Sequence, residues 1–533
     1  MYIFITALLF VNSACTEDFE QLNENPYQVT NESLEQDNRT LATNYAEVFQ
    51  GIFGGQEMHV LTHDTWSSQI SVNHVFGAGA ANNHTYHITW NSYWAKVYDW
   101  IMSPTAQAIK IADRDGYPLF GALSKLFQIV GTSRLTTFHG PVIYSHYGEE
   151  PALYDSEEEL YNNFFTDLDE IQATILANLE SLEVGFFKDH DATYGADMTK
   201  WLKFTNSLRL RLAMRISKVN PALAKTQGEK ALSASEGLIE TNGDNFLVSL
   251  YEERYNYAKY INSWGDHRMG ADLESVLVGY KDPRIHRYFA PVPETNPKEP
   301  FDNLDYVIAD HPEFPYKGNR CGGFIGHKKE RKFITSTLNL EVSENTTSER
   351  LFTAAETKFL KAEAALRGWA GAGSAQENYE AGVTLAFADW GATGVEAYLA
   401  DNTSTPIDYV DPFDSRNSYE TRMTNTVAWD EGADNEIKLE KIITQKWING
   451  FLNSVEAWTD FRRTGYPKIA YINNNLSTIQ FGVVEADEHI KRLVYPDSQH
   501  NNNSESVQEA LGYLGGEDKI NVRLWWDVDA PNF

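Results

Sequence analysis

The stretch from Met198 to Ser217, MTKWLKFTNSLRLRLAMRIS, constrains the fold more than any other part of the chain. Leu202, Phe204, Leu208, Leu210, Leu212, Ala213 and Ile216 recur close to a helical repeat, and no Gly or Pro interrupts them. Arg209, Arg211 and Arg215 are interleaved with these apolar positions. A helix that is apolar on so many sides belongs in a core. Arginines within it must then reach carboxylates or carbonyls on their neighbours. The stretch predicts a long buried helix whose cations hold other helices.

Several further stretches carry the same signature. Residues 41–53 read as a helix ended by Gly54 and Gly55, and 90–114 as another, kinked at Pro104. Residues 118–133 and 156–179 follow, the latter opened by a capping box from Ser156 to Glu159. Pro221 opens a helix to 235. After a gap, 351–370 is capped by Gly368, 374–388 forms its hairpin partner, and Glu436 to Arg463 reads as one final long helix.

Residues 242–350 lack helical periodicity except near 272–279, and Pro, Asn, Gly and aromatics dominate there. So long an irregular region is more than a connection, and FIGHKK and KFITSTLNL could supply strands in it. The expected fold is mostly α. Tetratricopeptide-like helix pairs form a scaffold at about 41–240 and 351–533, around a large irregular loop-rich insert at about 241–350 that carries short strands. The consensus residues of a strict repeat are not evident.

The formal charge of −31 argues against a nucleic-acid partner, which needs a basic face. The two cysteines, Cys15 and Cys321, cannot build a disulfide framework. Cys15 ends the run MYIFITALLFVNSAC, too short for a membrane span and right for a signal-peptide core. With Ser13 and Ala14 before it, Cys15 resembles the lipidated Cys of a bacterial lipobox, although Asn12 replaces the usual Leu. No Lys or Arg precedes the apolar run, which places the expected start upstream of Met1. Residues 1–14 are therefore expected to be a lipoprotein signal peptide and 15–40 a lipidated tether, with 41–533 a single domain. Glu17, Asp18 and Glu20 resemble an acidic surface-export signal.

The chain contains no HExxH, GxSxG, Walker A or GxGxxG pattern, so no catalytic residue is assigned. Clustered Cys and His ligands are missing, and no cofactor or metal is expected. Asp189, Asp191 and Asp197 offer a weak calcium pattern without the EF-hand spacing; a helix-entry loop accounts for them better. The remaining chemical resource is aromatic. Sugars present a C–H face that stacks on Trp or Tyr and a hydroxyl rim read by Asp, Asn and Arg. Trp66, Tyr86 and Trp264 stand in polar, non-helical sequence, and with Asp64 they are the candidate ligand-binding residues. Trp201, Trp447 and Trp458 stand in helices and read as core.

An ordered set of segments runs from Cys15 to the end: DFEQLNENPYQ, RLTTFHGPVIYSH, KWLKFTNSLRLRLAMRIS, KFLKAEAALRGWAG, SAQENYEAGV, ITQKWINGF, EAWTDFRRTGYP, RLVYP and RLWWD. Together they resemble the SusD/RagB-like nutrient-binding outer-membrane lipoproteins. Thr137 and His139 stand where relatives more often carry an acidic residue and an aromatic. The resemblance implies a tetratricopeptide-like scaffold and a lipid-anchored position at the cell surface. It also implies a SusC-type TonB-dependent transporter as partner, an oligosaccharide or other nutrient as ligand, and no enzymatic activity. Its motifs are structural and transfer no ligand residues. A surface glycoside hydrolase and a ligand-free helical-repeat scaffold are the alternatives.

Overall fold

The computed structural model describes residues 41, 45–73, 85–249, 262–292, 311–325, 331–332, 334–341 and 348–533. Cys15, the expected leader at 1–14 and the expected tether at 15–40 lie outside them.

The front of the chain forms helices α1 (Tyr45–Phe53), α2 (Ser103–Asp115), α3 (Pro118–His139), α4 (Glu157–Ala177), α5 (Met198–Arg215) and α6 (Pro221–Leu232). The insert contributes α7 (Ala271–Gly279), and the back of the chain α8 (Ala354–Leu366), α9 (Ala375–Asp389), α10 (Asn435–Asn449) and α11 (Val455–Thr464). α2 packs on α3, α5 on α6, and α8 on α9. Short loops between consecutive packed helices make hairpins, the repeating unit expected of the scaffold. The fold is mostly helical, as the periodicity predicts.

Two boundaries differ from the sequence reading. α3 runs on to His139 rather than ending near Ser133, because Thr136 and Thr137 turn their hydroxyls onto backbone carbonyls and the whole turn is buried. The expected final helix is two, α10 and α11. Leu452 takes a φ of +66° between Gly450 and Ser454, which a continuous helix cannot contain. Pro104 disturbs its helix as expected. The turn before it, Val97–Met102, widens to a π-helix in which Ser103 N–H reaches the carbonyl of Tyr98.

α5 is buried on nearly every side. Asp197 caps it, accepting from the N–H of Thr199 and Lys200 at 3.0 and 3.2 Å. Asp191 accepts from the backbone of Thr193, Tyr194 and Ala196 and from the Trp201 indole. These carboxylates build the entrance to the helix, as the helix-entry reading holds.

The three arginines behave as the sequence requires. Arg209 reaches Asp169 and Gln227, both at 2.5 Å. Arg211 grips Glu356 of α8 through two bonds of 2.8 and 2.7 Å. Arg215 donates to Glu456 of α11 at 2.6 Å and to the Ser133 carbonyl of α3 at 2.9 Å. The network continues through Lys446 and Asp460 (2.7 Å) to Arg463 and Glu363 (2.6 Å). One buried chain of charges therefore joins α3, α5, α8, α10 and α11.

The apolar core has two parts. The first joins α1 to α6 with α11 and the C-terminal segment; the second joins α7 and the insert with α9 and α10. α8 serves both, giving Ala354, Leu360 and Ala364 to the first and Ala355, Phe359 and Ala362 to the second. The insert is thus built into the scaffold.

Two small sheets hold the insert. β2 (Phe246–Ser249) pairs antiparallel with β4 (Ser348–Phe352) where the chain leaves and rejoins the scaffold. β1 (Ile70–Val72) pairs antiparallel with β3 (His267–Met269), Ile70 opposite Met269. The two stretches expected to supply strands do not form them among the described residues. Leu338 makes one isolated bridge to Phe289, and most of FIGHKK lies outside the described residues.

Candidate functional site

Residues 59–66 form helical turns rather than the loop their polarity suggests and pack on α11, while 70–72 pair with β3; between them the Trp447 indole donates to the Ser67 carbonyl at 2.7 Å. Asp64 and Trp66 are fully buried there. The Trp66 ring lies 5.0 Å from that of Trp458 and has no face open to solvent. Tyr86 is buried as well, its hydroxyl on Asn91 at 3.1 Å and its ring 4.8 Å from that of Phe481. Of the four candidates, only Trp264 is displayed, 47% exposed. The structure does not bring the four together at a surface. A polar sequence reads here as an exposed loop, but it folds into helical turns that α11, far along the chain, covers.

Burial also sets the chemistry of the Asp64 carboxyl, which is pushed up to about 7 with Ser454 opposing only part of the shift. Glu349 is raised to about 8 by burial and then by the charge of Asp64. Both groups are sealed in the fold rather than set in a cleft.

Trp264 stands on a fixed base. It ends a single turn at 262–264, and Gly265 follows with φ +64°, a left-handed conformation that glycine adopts without strain. Asn73 anchors the turn, donating to the Gly265 carbonyl at 3.2 Å and to the Asp266 carbonyl at 2.9 Å. On the other side Asn262 donates to the Leu338 carbonyl at 3.2 Å. A turn held on both flanks loses little backbone freedom when something stacks on the indole it carries.

A polar bed continues from this base. Arg268 of β3 donates to the Lys332 carbonyl at 3.4 Å. The next residue back, Arg331, binds Asp411 at 2.8 Å and Asn319 at 2.9 Å. Burial raises the Asp411 carboxyl, but the guanidinium of Arg331 outweighs it and holds the group below its ordinary range. Asn417 touches Asp411 and clamps the backbone of Phe324 at 2.7 and 2.8 Å. The Arg416 guanidinium sits 3.9 Å over the Phe324 ring, and that of Arg422 sits 3.9 Å over Tyr471, which is 39% exposed. The Asn473 amide donates to the Arg416 carbonyl at 2.6 Å and so connects the two stacks.

The pairs Phe324–Arg416 and Tyr471–Arg422 thus set ring faces and guanidiniums beside the Asn473 amide. That set can stack on C–H surface and donate to hydroxyls or carbonyls. Phe324, Arg416, Arg422 and Tyr471 were not singled out from the sequence. The criterion that selected Trp264, an aromatic in polar irregular sequence, applies equally to Phe324 and Tyr471. The pairing with arginine is a tertiary fact. Among the described residues no group of three or more His, Cys, Asp or Glu could hold a metal ion.

A small recess beside β4, lined by Arg350, Glu356, Asn453 and Glu456 among others, measures about 30 Å³. That is room for ordered water only.

The family model described as SusD-like, Susd and RagB outer membrane lipoprotein, matches residues 21–527. Among solved structures, a chitin-binding SusD homologue from Flavobacterium johnsoniae is 37% identical, with a TM-score of 0.83 over 92% of this chain and 100% of that one. A SusD homologue from Bacteroides vulgatus is 31% identical, with a TM-score of 0.82 over 94% and 100%. A further structure, of a chitin-binding protein, is 26% identical, with a TM-score of 0.72 over 92% and 100%. No curated protein sequence matches the chain. The helix pairs, the built-in insert and a match across nearly the whole length agree: the chain belongs to the SusD-like family of outer membrane lipoproteins.

Proposed function

We propose that this protein captures an oligosaccharide at the cell surface and delivers it to a SusC-type TonB-dependent transporter in the outer membrane. Chito-oligosaccharides are the first class to try, because two of the similar structures are of chitin-binding proteins. Cys15 carries the lipid that anchors the protein, and the protein performs no catalysis.

The observation that carries the reading is Trp264, an exposed indole on a braced turn of the insert. The stacked pairs Phe324–Arg416 and Tyr471–Arg422 add further aromatic surface. An N-acetylated sugar would lay the C–H face of its ring on the indole.

Isothermal titration with chitotetraose tests this. Trp264→Ala removes one stacking platform and is expected to weaken binding about tenfold or more, as loss of an aromatic contact of about 1.5 kcal/mol implies. Unchanged affinity in that variant would refute Trp264 as the platform. Release of shorter sugars from chitotetraose by the purified protein would refute the non-catalytic reading.

A further inference from the structure

A second recess lies on the helical scaffold, on elements that contribute nothing to the loop face. A cleft of about 490 Å³ opens to solvent between α1, the π-helical turn, the start of α2 and the loop at 147–148. Its lining includes Glu47, Asp99, Gln107, Lys110 and Tyr147.

Three features set it apart from an ordinary surface groove. The side chains of Glu47, Asp99, Gln107 and Lys110 make no hydrogen bond or ion pair with any described residue. The fold therefore does not use them. Tyr147 is held in place, its ring stacked 6.1 Å from that of Tyr98 at 17°. Tyr98 is itself fixed, donating to the Ile143 carbonyl at 3.1 Å and accepting from the Ile143 N–H at 2.9 Å. Third, Asp99 sits within the π-helical turn Val97–Met102, and such turns recur at functional sites.

We propose that this cleft is a second saccharide site, sized for one or two sugar rings. The inference rests on the saccharide-binding reading given above. Tyr147 supplies the stacking surface. The Glu47 and Asp99 carboxylates accept from hydroxyls, Lys110 donates, and Gln107 does both. A secondary site on the scaffold would keep a polymer close to the protein while the loop face engages one chain segment, raising its effective concentration there.

Titration of the full chain with chitotetraose is expected to show two sites. Trp264→Ala weakens one of them. Asp99→Asn and Tyr147→Ala each weaken the other about tenfold, the effect of losing one charge-assisted bond or one stacking contact. All three residues have solvent-accessible side chains, and circular dichroism checks that the variants fold. A single site that Trp264→Ala weakens and Asp99→Asn leaves unchanged overturns the cleft and leaves the loop-face reading standing. A site weakened by Asp99→Asn, with no site sensitive to Trp264→Ala, overturns the loop-face assignment and leaves the cleft. Absence of binding to any saccharide overturns both.

Discussion

Glu363 gives the sharpest test of how the scaffold is held. It lies in α8, 1% exposed, and takes both guanidinium nitrogens of Arg463 at 2.6 and 2.7 Å. Arg367 adds bonds of 3.0 and 2.8 Å. Burial alone would raise this carboxyl. The charges of Arg463 and Arg367 reverse that and hold it at about 2. Relative to an unfolded glutamate near 4.3, that depression corresponds to about 3 kcal/mol of folded-state stability. Breaking a buried pair by removing one partner costs about 3–5 kcal/mol, so two independent routes agree. Glu363→Gln keeps the shape and removes the charge. It should lower stability at pH 7 by about 3–4 kcal/mol in urea unfolding followed by tryptophan fluorescence. The sign with pH follows from the depressed value. The contribution is full above the unfolded glutamate's range and is lost as pH falls toward 2. The gap between wild type and variant should therefore be constant from pH 7 to about 5 and close progressively below that. A gap under about 1 kcal/mol at pH 7, or one that does not narrow in acid, would show that the pair does not hold the helices as described.

Two further predictions concern the buried segment 59–73 and its pairing with β3. Asp64 has a raised value of about 7, so its contribution favours folding below about pH 4 and is lost as pH rises toward 7. Asp64→Asn should remove up to about 4 kcal/mol of that pH dependence, and the variant should gain on wild type between pH 5 and 8 in unfolding experiments. A pH profile parallel to wild type would contradict the burial argument. At Gly270 a β-carbon would fall 2.0 Å from the Ser68 carbonyl oxygen, at the end of the β1–β3 pairing. Gly270→Ala should cost about 3 kcal/mol or more, and limited proteolysis should cut first within the insert. A protease pattern identical to wild type would mean that the β1–β3 contact does not secure that region.

Much of the scaffold was legible in the sequence because a helix declares itself locally. The apolar spacing of Met198–Ser217, the Ser156–Glu159 box and the glycines after Phe53 and Arg367 act within a few residues of one another. The break between α10 and α11 was not legible. Leu452 has no intrinsic preference for a left-handed φ, and only its surroundings impose one. The loop aromatics show the same limit. Trp66 and Trp264 stand in similar polar sequence, yet one is sealed against Trp458 and the other is displayed.

The sequence by itself determined that α5 would be buried and that Arg209, Arg211 and Arg215 would need anionic or carbonyl partners. Hydrophobic spacing and the cost of an unpaired buried cation follow from residue types alone. Only the tertiary structure decided which partners they took. Glu356 lies 145 residues and Glu456 241 residues along the chain from the arginines they bind. The same is true of the ligand face. Whether an aromatic packs or projects depends on which distant element covers it, Trp458 of α11 in the case of Trp66, and no local pattern encodes a contact that distant.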